Sequence, residues 1–223
     1  MPRIARVVAI EYPHHITQRG NYGQKVFLND KDKELYLSWV NEYSEKYGTL
    51  LLANCLMPTH VHFIGMPLKE DSLAKTFNTA HMRYAQYFNK KMGVKGHLWQ
   101  NRFYSCVLDQ DHLVAAAKYI ERNPVRANLV DKPWEWKWSS ASTHIGISNK
   151  QIIKLENLFK IIDIPQNTWK SFIDTDDNKT TMDNIKKSTS TGRPLGKEHF
   201  VKDLENKFGI RLQALPRGRP FKY

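Results

Sequence analysis

The stretch Pro58-Thr59-His60-Val61-His62-Phe63 lies inside an apolar run that extends from Leu50 to Met66. A proline fits poorly in the middle of a central strand, so Pro58 belongs to a turn that divides the run. The sequence therefore predicts one strand over residues 49–57 and another over residues 60–66. The connection between them is short, so the two strands pair in the antiparallel direction.

The two histidines of this stretch are the first candidates for a functional site. Side chains point alternately to the two faces of a strand, so His60 and His62 share one face. Two neutral imidazoles on one face make half of a metal site. The alternative is one histidine buried in the core beside an unrelated neighbour. The metal hypothesis therefore requires a third ligand and a nucleophile from elsewhere in the chain.

Helices and strands are predicted on both sides of this strand pair. In the first helix, Leu35, Trp39, Tyr43 and Tyr47 recur every four residues, and Gly48 follows as a stop signal. The same kinds of signal predict a strand over 13–19, helices over 31–47 and 71–92, a strand over 102–108, and a helix that begins at Asp109 or Asp111 and ends at Asn123-Pro124. This order is typical of an α+β fold, a ferredoxin-like antiparallel sheet with helices on one face and one appended helix.

The composition indicates a globular, basic protein with an anionic partner. The chain has 223 residues, 41% of them hydrophobic, a formal net charge of +12 and a pI of about 9.6. Nucleic acid is the commonest partner of such a charge. Cys55 and Cys106 lie too far apart for a disulfide framework or a zinc knuckle. Arg3 and Arg6 precede no long apolar segment, and no apolar run approaches the roughly 20 residues of a membrane span, so we expect a cytoplasmic bacterial protein.

The third predicted helix carries the groups that the histidine pair needs. Tyr119 and Asn123 are four residues apart and therefore lie on one face of the helix or of its last turn. A tyrosine phenol can act as a covalent nucleophile. The amide oxygen of Asn123 would complete a ligand set with His60 and His62 that suits Mg²⁺ or Mn²⁺. A divalent ion and a tyrosine held in line are what phosphodiester cleavage requires.

Several basic and aromatic side chains are candidates for contact with nucleic acid. In the segment 96–105, aromatic residues alternate with arginine and side-chain amides, a mixture that suits single-stranded nucleic acid. The alternative is a strand whose aromatic side chains belong to the core. The candidate contacts are Arg19, Arg83, Trp99, Arg102, Arg126, Arg217 and Arg219.

Four stretches, in order along the chain, resemble one family. Residues 57–62, Met-Pro-Thr-His-Val-His, resemble the IS200-like tyrosine transposases, and their His-Val-His core resembles the motif of the wider HUH group of single-strand nucleases. Residues 97–103, 119–127 and 138–140 resemble the REP-associated branch of these transposases. The resemblance covers residues 8 to 145, so we expect a catalytic domain over 1–145 and a basic C-terminal extension over 146–223.

The resemblance implies a metal-dependent enzyme that acts on single-stranded DNA beside imperfect hairpins. It implies that His60 and His62 bind the metal and that Tyr119 forms a 5′-phosphotyrosine link and frees a 3′-hydroxyl. It implies Asn123 as the third ligand, where related insertion-sequence enzymes have a glutamine with a longer arm. It also implies a monomer or a homodimer, with Tyr119 serving its own chain or its partner, and no nucleotide cofactor.

The sequence after residue 145 has a different composition and a different predicted structure from the part before it. We predict a helix over 152–162, further structure near Trp169, and a mobile linker over 174–190, which is rich in Asp, Asn, Lys, Ser and Thr. A short amphipathic helix with Phe200, Leu204 and Phe208 follows. The final Arg217-Gly218-Arg219-Pro220 resembles an AT-hook, whose arginines enter a narrow minor groove. The alternative for this segment is a solvated basic tail.

Three other functions compete with a strand transferase. One is a nickase of the replication-initiator or relaxase kind, and another is a metal-binding α+β domain without a DNA substrate. The third is a domesticated protein that binds hairpin DNA, or a repressor, without strand-transfer activity. The combination of His60, His62 and Tyr119 argues against the loss of activity.

Overall fold

The computed structural model describes residues 7–148 and 152–213, and this part of the chain contains one antiparallel sheet of four strands. The strands are β1 (His14–Arg19), β2 (Thr49–Leu56), β3 (His60–Pro67) and β4 (Tyr104–Val107). Their order in the sheet is β2-β3-β1-β4. The helices in the described residues are α1 (Asp30–Tyr47), α2 (Ser72–Met92), α3 (Gln110–Glu121), α4 (Asn123–Arg126), α5 (Ala141–His144), α6 (Gln166–Asp174), α7 (Lys179–Thr191) and α8 (Glu198–Phe208). None of these helices is long and apolar enough to cross a membrane.

The first and third helices begin and end at recognisable local signals. The side chain of Asn29 accepts a hydrogen bond from the backbone N–H of Asp32 and caps the start of α1. Gly48 ends α1 in a left-handed conformation, with φ of 70°, which glycine adopts without strain. Asp109, rather than Asp111, caps α3 by accepting from the backbone N–H of His112.

The register of β1 against β3 sets which side chains share a face of the sheet. Thr17 lies opposite His62 and Arg19 lies opposite His60, so these four side chains point the same way. The intervening Ile16, Val61 and Phe63 point the other way, into an apolar core under α1 and α2. The prediction of an α+β fold with an antiparallel sheet is confirmed, and α1 and α2 are the helices predicted on one face.

The opposite face of the sheet is also covered, by α3 and by the C-terminal extension. The α3 helix packs against β2 and β3, and α7 packs against β1 and β4. The apolar part of this layer includes Ile64 of β3, Leu113 of α3, Trp169 of α6 and Ile185 of α7. The side chains of His60 and His62 therefore lie on the face covered by this second layer.

The later part of the chain also pairs with the two edge strands. On the β2 edge, the backbone N–H of Leu56 donates to the carbonyl of Trp138, and Glu156 donates to Leu51 at 2.7 Å. On the β4 edge, the N–H of Leu195 donates to the carbonyl of Val107 at 2.8 Å. These bonds satisfy edge groups that would otherwise be open to pairing with another chain.

Two predictions for the C-terminal part are wrong. The predicted helix over 152–162 is reduced to one 3-10 turn, Leu158–Lys160, because the segment bonds to the edge of β2 and then turns at Asn157. The predicted mobile linker over 174–190 instead contains most of α7, which Asn178 caps. The segment is polar because the helix buries only two side chains, Ile185 and Thr189, against the sheet, and so its composition resembles that of a linker.

Other predictions for this part agree with the structure or lie outside it. Structure near Trp169 is present as α6, and the amphipathic helix is α8, with Phe200 and Leu204 buried. The AT-hook-like segment, with Arg217 and Arg219, lies outside the described residues. The domain boundary at residue 145 stays a prediction.

Candidate active site

The two histidines of β3 form one side of the site. The ring centroids of His60 and His62 lie 5.0 Å apart, with the planes nearly perpendicular. Burial lowers the pKa of His60 to about 4, and the guanidinium groups of Arg19 and Arg126 act in the same direction. Burial also lowers the pKa of His62 well below its usual value. Both imidazoles are therefore neutral near pH 7, as ligands of a metal ion must be.

Tyr119 of α3 faces this pair. Its ring centroid lies 5.7 Å from that of His62, with the two planes at 89°. The residue is 7% exposed. Burial raises the pKa of the Tyr119 phenol, and the nearby positive charge of Arg126 opposes that shift. The phenol thus sits beside the histidines and under the influence of one cation.

Arg126 is held over Tyr119 by the loop between α6 and α7. Its guanidinium carbon lies 4.4 Å from the centroid of the Tyr119 ring, and the side chain also donates to the backbone carbonyl of Tyr119. The other arm of the guanidinium donates to Asp177 at 2.8 Å. Arg122 donates to the same Asp177 oxygen at 3.0 Å. The extension therefore fixes the cation that faces the candidate nucleophile.

His15 of β1 is a residue of the site that the sequence did not single out. Its Nε2 lies 2.9 Å from Nδ1 of His62, and its Nδ1 lies 2.7 Å from the hydroxyl of Thr189 on α7. The residue is 1% exposed, and burial lowers its pKa to about 3, so it is neutral. A signal existed in the sequence, because in strand β1 the alternation places His15 with Thr17 and Arg19. Using it required the register between β1 and β3.

Asn123 lies at a break in the helix that carries Tyr119. The predicted helix to Asn123-Pro124 ends earlier, at Glu121, and Asn123 begins the separate α4. The proline is tolerated there because the first turn of a helix needs no N–H from it. The Asn123 side chain is buried, and its Nδ2 has no hydrogen-bond partner within the described residues. An amide nitrogen donates hydrogen bonds and does not bind cations, so a metal ion at Asn123 would be bound by the side-chain oxygen.

The third metal ligand would have to be of a type other than His, Cys, Asp or Glu. Among the described residues, no three His, Cys, Asp or Glu side chains form a group that could hold a metal ion. An amide such as that of Asn123 falls outside that set. Two neutral imidazoles and one amide oxygen are donors of kinds that divalent metal ions bind.

Comparison with known proteins now gives the family. The family model described as "Transposase IS200 like" matches residues 9–123, which is more than half of the chain. The chain belongs to the IS200-like transposase family. The matched range ends at Asn123 and contains both histidines of β3, His15 and Tyr119. No curated protein matches the sequence.

Solved structures are similar to this IS200-like chain to different degrees. One is the REP-associated tyrosine transposase bound to a REP hairpin, with 17% identity and a TM-score of 0.54 over 74% of this chain and 99% of that one. At that identity the likeness shows the fold alone. Another is a protein from Deinococcus radiodurans R1 named as a candidate transposase, with 18% identity, a TM-score of 0.38, and coverage of 54% and 97%. A TM-score of 0.38 does not establish a shared fold.

The candidate DNA contacts of this IS200-like chain fall in different places. Arg19 is exposed at the end of β1, beside His60, and Arg126 lies above Tyr119. Arg102 lines a cleft of about 670 Å³ between α2 and the segment before β4, which has both apolar side chains and side-chain amides in its lining. These three arginines lie at the site or in an open cleft.

Two other candidates are engaged elsewhere. Arg83 lies on the outer side of α2, where it bonds to Glu42 and Tyr43 and stacks over Trp39. Trp99 is 8% exposed, and its indole N–H donates to the carbonyl of His81. That burial matches the alternative in which the aromatic side chains of this segment belong to the core.

Proposed function

We propose that this IS200-like protein is a metal-dependent tyrosine transposase that cleaves and rejoins single-stranded DNA beside hairpin sequences. The observation that carries the proposal is the approach of Tyr119 to the histidine pair, 5.7 Å between the ring centroids of Tyr119 and His62. A nucleophile from a helix and two neutral ligands from a strand converge at one point. In a chain of net charge +12, this convergence supports strand transfer or nicking of DNA as the reaction.

Three residues would hold a divalent ion at this point. His60 and His62 each have Nε2 left after their Nδ1 atoms bond to Thr59 and His15. The side-chain oxygen of Asn123 would supply a hard donor. When bound there, Mg²⁺ or Mn²⁺ would neutralise charge on the non-bridging oxygens of a phosphodiester.

Tyr119 carries out the covalent chemistry. Its phenolic oxygen gives up a proton and attacks phosphorus, which forms the O–P bond of a 5′-phosphotyrosine. The bond from phosphorus to the 3′ oxygen breaks, and that oxygen takes a proton to become a free 3′-hydroxyl. In the reverse direction, a 3′-hydroxyl attacks the phosphotyrosine and Tyr119 leaves as a phenol. No external energy source is needed, because one phosphodiester is exchanged for another.

Arginine side chains would position the DNA strand at the site. Arg19 and Arg126 flank the histidine pair and would pair with the phosphates next to the scissile bond. Arg102 and the amides of the neighbouring cleft would hold nucleotides farther along the strand. The sequence motifs of the REP-associated branch, together with a fold shared with a transposase bound to a REP hairpin, favour a hairpin as the DNA landmark.

A covalent-adduct assay tests this proposal. The full-length protein is incubated with Mn²⁺ and a labelled single-stranded oligonucleotide that carries a hairpin from beside its own gene. Wild type should give a protein–DNA adduct that survives denaturant, and Tyr119→Phe should give none, because the nucleophilic oxygen is gone. Tyr47→Phe is the matched control, since Tyr47 lies on α1 on the other side of the sheet.

The outcomes separate the competing functions. Equal adduct formation by wild type and Tyr119→Phe would remove the catalytic assignment. Hairpin binding without any adduct from wild type would favour the domesticated DNA-binding protein or repressor. Cleavage that persists in a chelator would remove the metal role and leave the nucleophile in place.

A further inference from the structure

A chain of hydrogen bonds connects the candidate metal ligand His62 to the C-terminal helix α7. It runs from His62 through His15 to Thr189, with separations of 2.9 Å and 2.7 Å. All three side chains are at most 5% exposed, so water does not compete for these bonds. The planes of the two imidazoles differ by only 9°, and this arrangement allows the hydrogen bond to lie in the plane of both rings.

The direction of every bond in this chain follows from its last member. The hydroxyl of Thr189 lies 2.7 Å from the backbone carbonyl of Ile185, one turn earlier in α7. A carbonyl can only accept, so the hydroxyl proton is used there. The Thr189 oxygen must then accept from His15, which places a proton on Nδ1 of His15. The other neighbour of this oxygen, Sγ of Cys106 at 3.3 Å, can donate its own S–H.

The same reasoning extends through both imidazoles. A neutral imidazole carries one proton, so His15 with a proton on Nδ1 has a lone pair on Nε2. That Nε2 accepts from Nδ1–H of His62. His62 then has its lone pair on Nε2, the nitrogen that is not used within the chain and the one available to a metal ion. The opposite direction would place a proton on Nε2 of His62 and block it as a ligand.

We propose that Thr189 and His15 are positioning residues that fix His62 in the tautomer with its lone pair on Nε2. The proposal rests on the proposed metal-dependent function and gives part of the C-terminal extension a role in the site. It also explains why a polar stretch of sequence forms a helix that packs over the sheet beside the histidines. Groups that orient a ligating histidine in this way typically change metal affinity by about 10- to 100-fold when removed.

Two variants of one residue test the proposal. Thr189→Val keeps the shape of the side chain and removes the hydroxyl, while Thr189→Ser keeps the hydroxyl. Long-range ¹⁵N–¹H NMR spectra of the metal-free, full-length protein identify which nitrogen of each histidine carries the proton, with His62→Gln used to assign the His62 signals. Isothermal titration with Mn²⁺ measures the affinity of the same samples.

We expect the proton of His62 on Nδ1 in wild type and in Thr189→Ser, and a shift toward Nε2 in Thr189→Val. Mn²⁺ affinity should fall about 10-fold in Thr189→Val and be retained in Thr189→Ser. A wild-type His62 that carries its proton on Nε2 would overturn the proposal, and so would unchanged tautomer and affinity in Thr189→Val. If wild type binds no Mn²⁺, the proposed metal function fails. The tautomer spectra still decide whether the hydrogen-bond chain from Thr189 through His15 fixes the tautomer of His62. The wild-type spectrum gives that answer even if Thr189→Val does not fold.

Discussion

The two faces of the sheet hold very different contents, although they share the same strands. On the face under α1 and α2, β3 contributes Val61 and Phe63 to a core of aliphatic and aromatic side chains. On the face under α3 and α7, the same strand contributes His60 and His62. Alternation along one strand thus separates packing from chemistry residue by residue.

The contents of the two faces indicate how the protein stabilises a buried polar site. The first face packs a large cluster of aliphatic and aromatic side chains, and its buried polar groups, such as His81 and Thr76, are hydrogen-bonded inside that cluster. The second face buries histidines and arginines, which need partners inside the protein. The C-terminal extension supplies several of them, with Asp177 for two arginines and Thr189 for His15.

The separation of packing from chemistry on β3 can be tested by truncating two of its side chains that point to opposite faces. Phe63 is fully buried and its ring packs against Tyr36 and Phe77. Phe63→Ala should lower the free energy of unfolding by about 4 kcal/mol, because it removes a large side chain and leaves a cavity. Urea denaturation followed by circular dichroism measures the change.

The paired variant is His60→Ala on the other face. Its side chain is partly exposed and hydrogen-bonds only to the neighbouring Thr59 among the described residues. We expect a loss of about 1 kcal/mol or less, with Mn²⁺ binding abolished. If His60→Ala destabilised the protein more than Phe63→Ala, the separation of packing from chemistry would be wrong.

Much of the fold could be predicted because its signals are local. Period-two alternation predicts that His60 and His62 share a face, and four-residue spacing predicts the stripe of α1. Pro58 marks the turn between β2 and β3. Those patterns predict the order of strands and helices through α3, and the structure confirms it within two or three residues at each end.

What could not be predicted depends on contacts between distant parts of the chain. His15 joins the site through the register of β1 against β3, which no local pattern specifies. Helix α7 is polar along most of its length, and its place is set by Ile185 and Thr189 against the sheet. Tertiary packing overrides composition here, so a segment that is typical of a linker becomes part of the second layer.

The partners that the extension supplies can be tested through Asp177. Its carboxylate is 9% exposed and accepts from Arg122 and Arg126 through one oxygen. Asp177→Asn should lower the free energy of unfolding by about 2 kcal/mol, since the buried guanidinium of Arg122 and the half-buried guanidinium of Arg126 lose a charged acceptor. Adduct formation should also slow, because Arg126 is no longer fixed over Tyr119. Urea denaturation and the adduct assay give the two readouts.

Asp176→Asn is the matched control for this experiment. Its side chain is fully exposed and meets Arg122 only at 3.4 Å. Exposed pairs of this kind contribute about 0–1 kcal/mol, so the control should behave almost as wild type. Equal effects of the two substitutions would show that the extension acts on the site only through net charge, not through the buried pair.

A dependence of stability on pH should also arise on the site face. Burial lowers the pKa of His15 from 6.5 to about 3, so the folded protein does not protonate it at pH 5.5, whereas the unfolded chain does. The folded state therefore binds fewer protons, and its stability falls as the pH decreases through 6.5. For one such histidine the loss between pH 7.5 and 5.5 is about 1.4 kcal/mol. His15→Gln lacks this titration, so in urea denaturation of the metal-free protein its loss over that range should be smaller than that of wild type by about 1.4 kcal/mol. An identical loss in the two proteins would mean that His15 is charged or solvated in the folded state, and that the polar layer is not buried as the apolar one is.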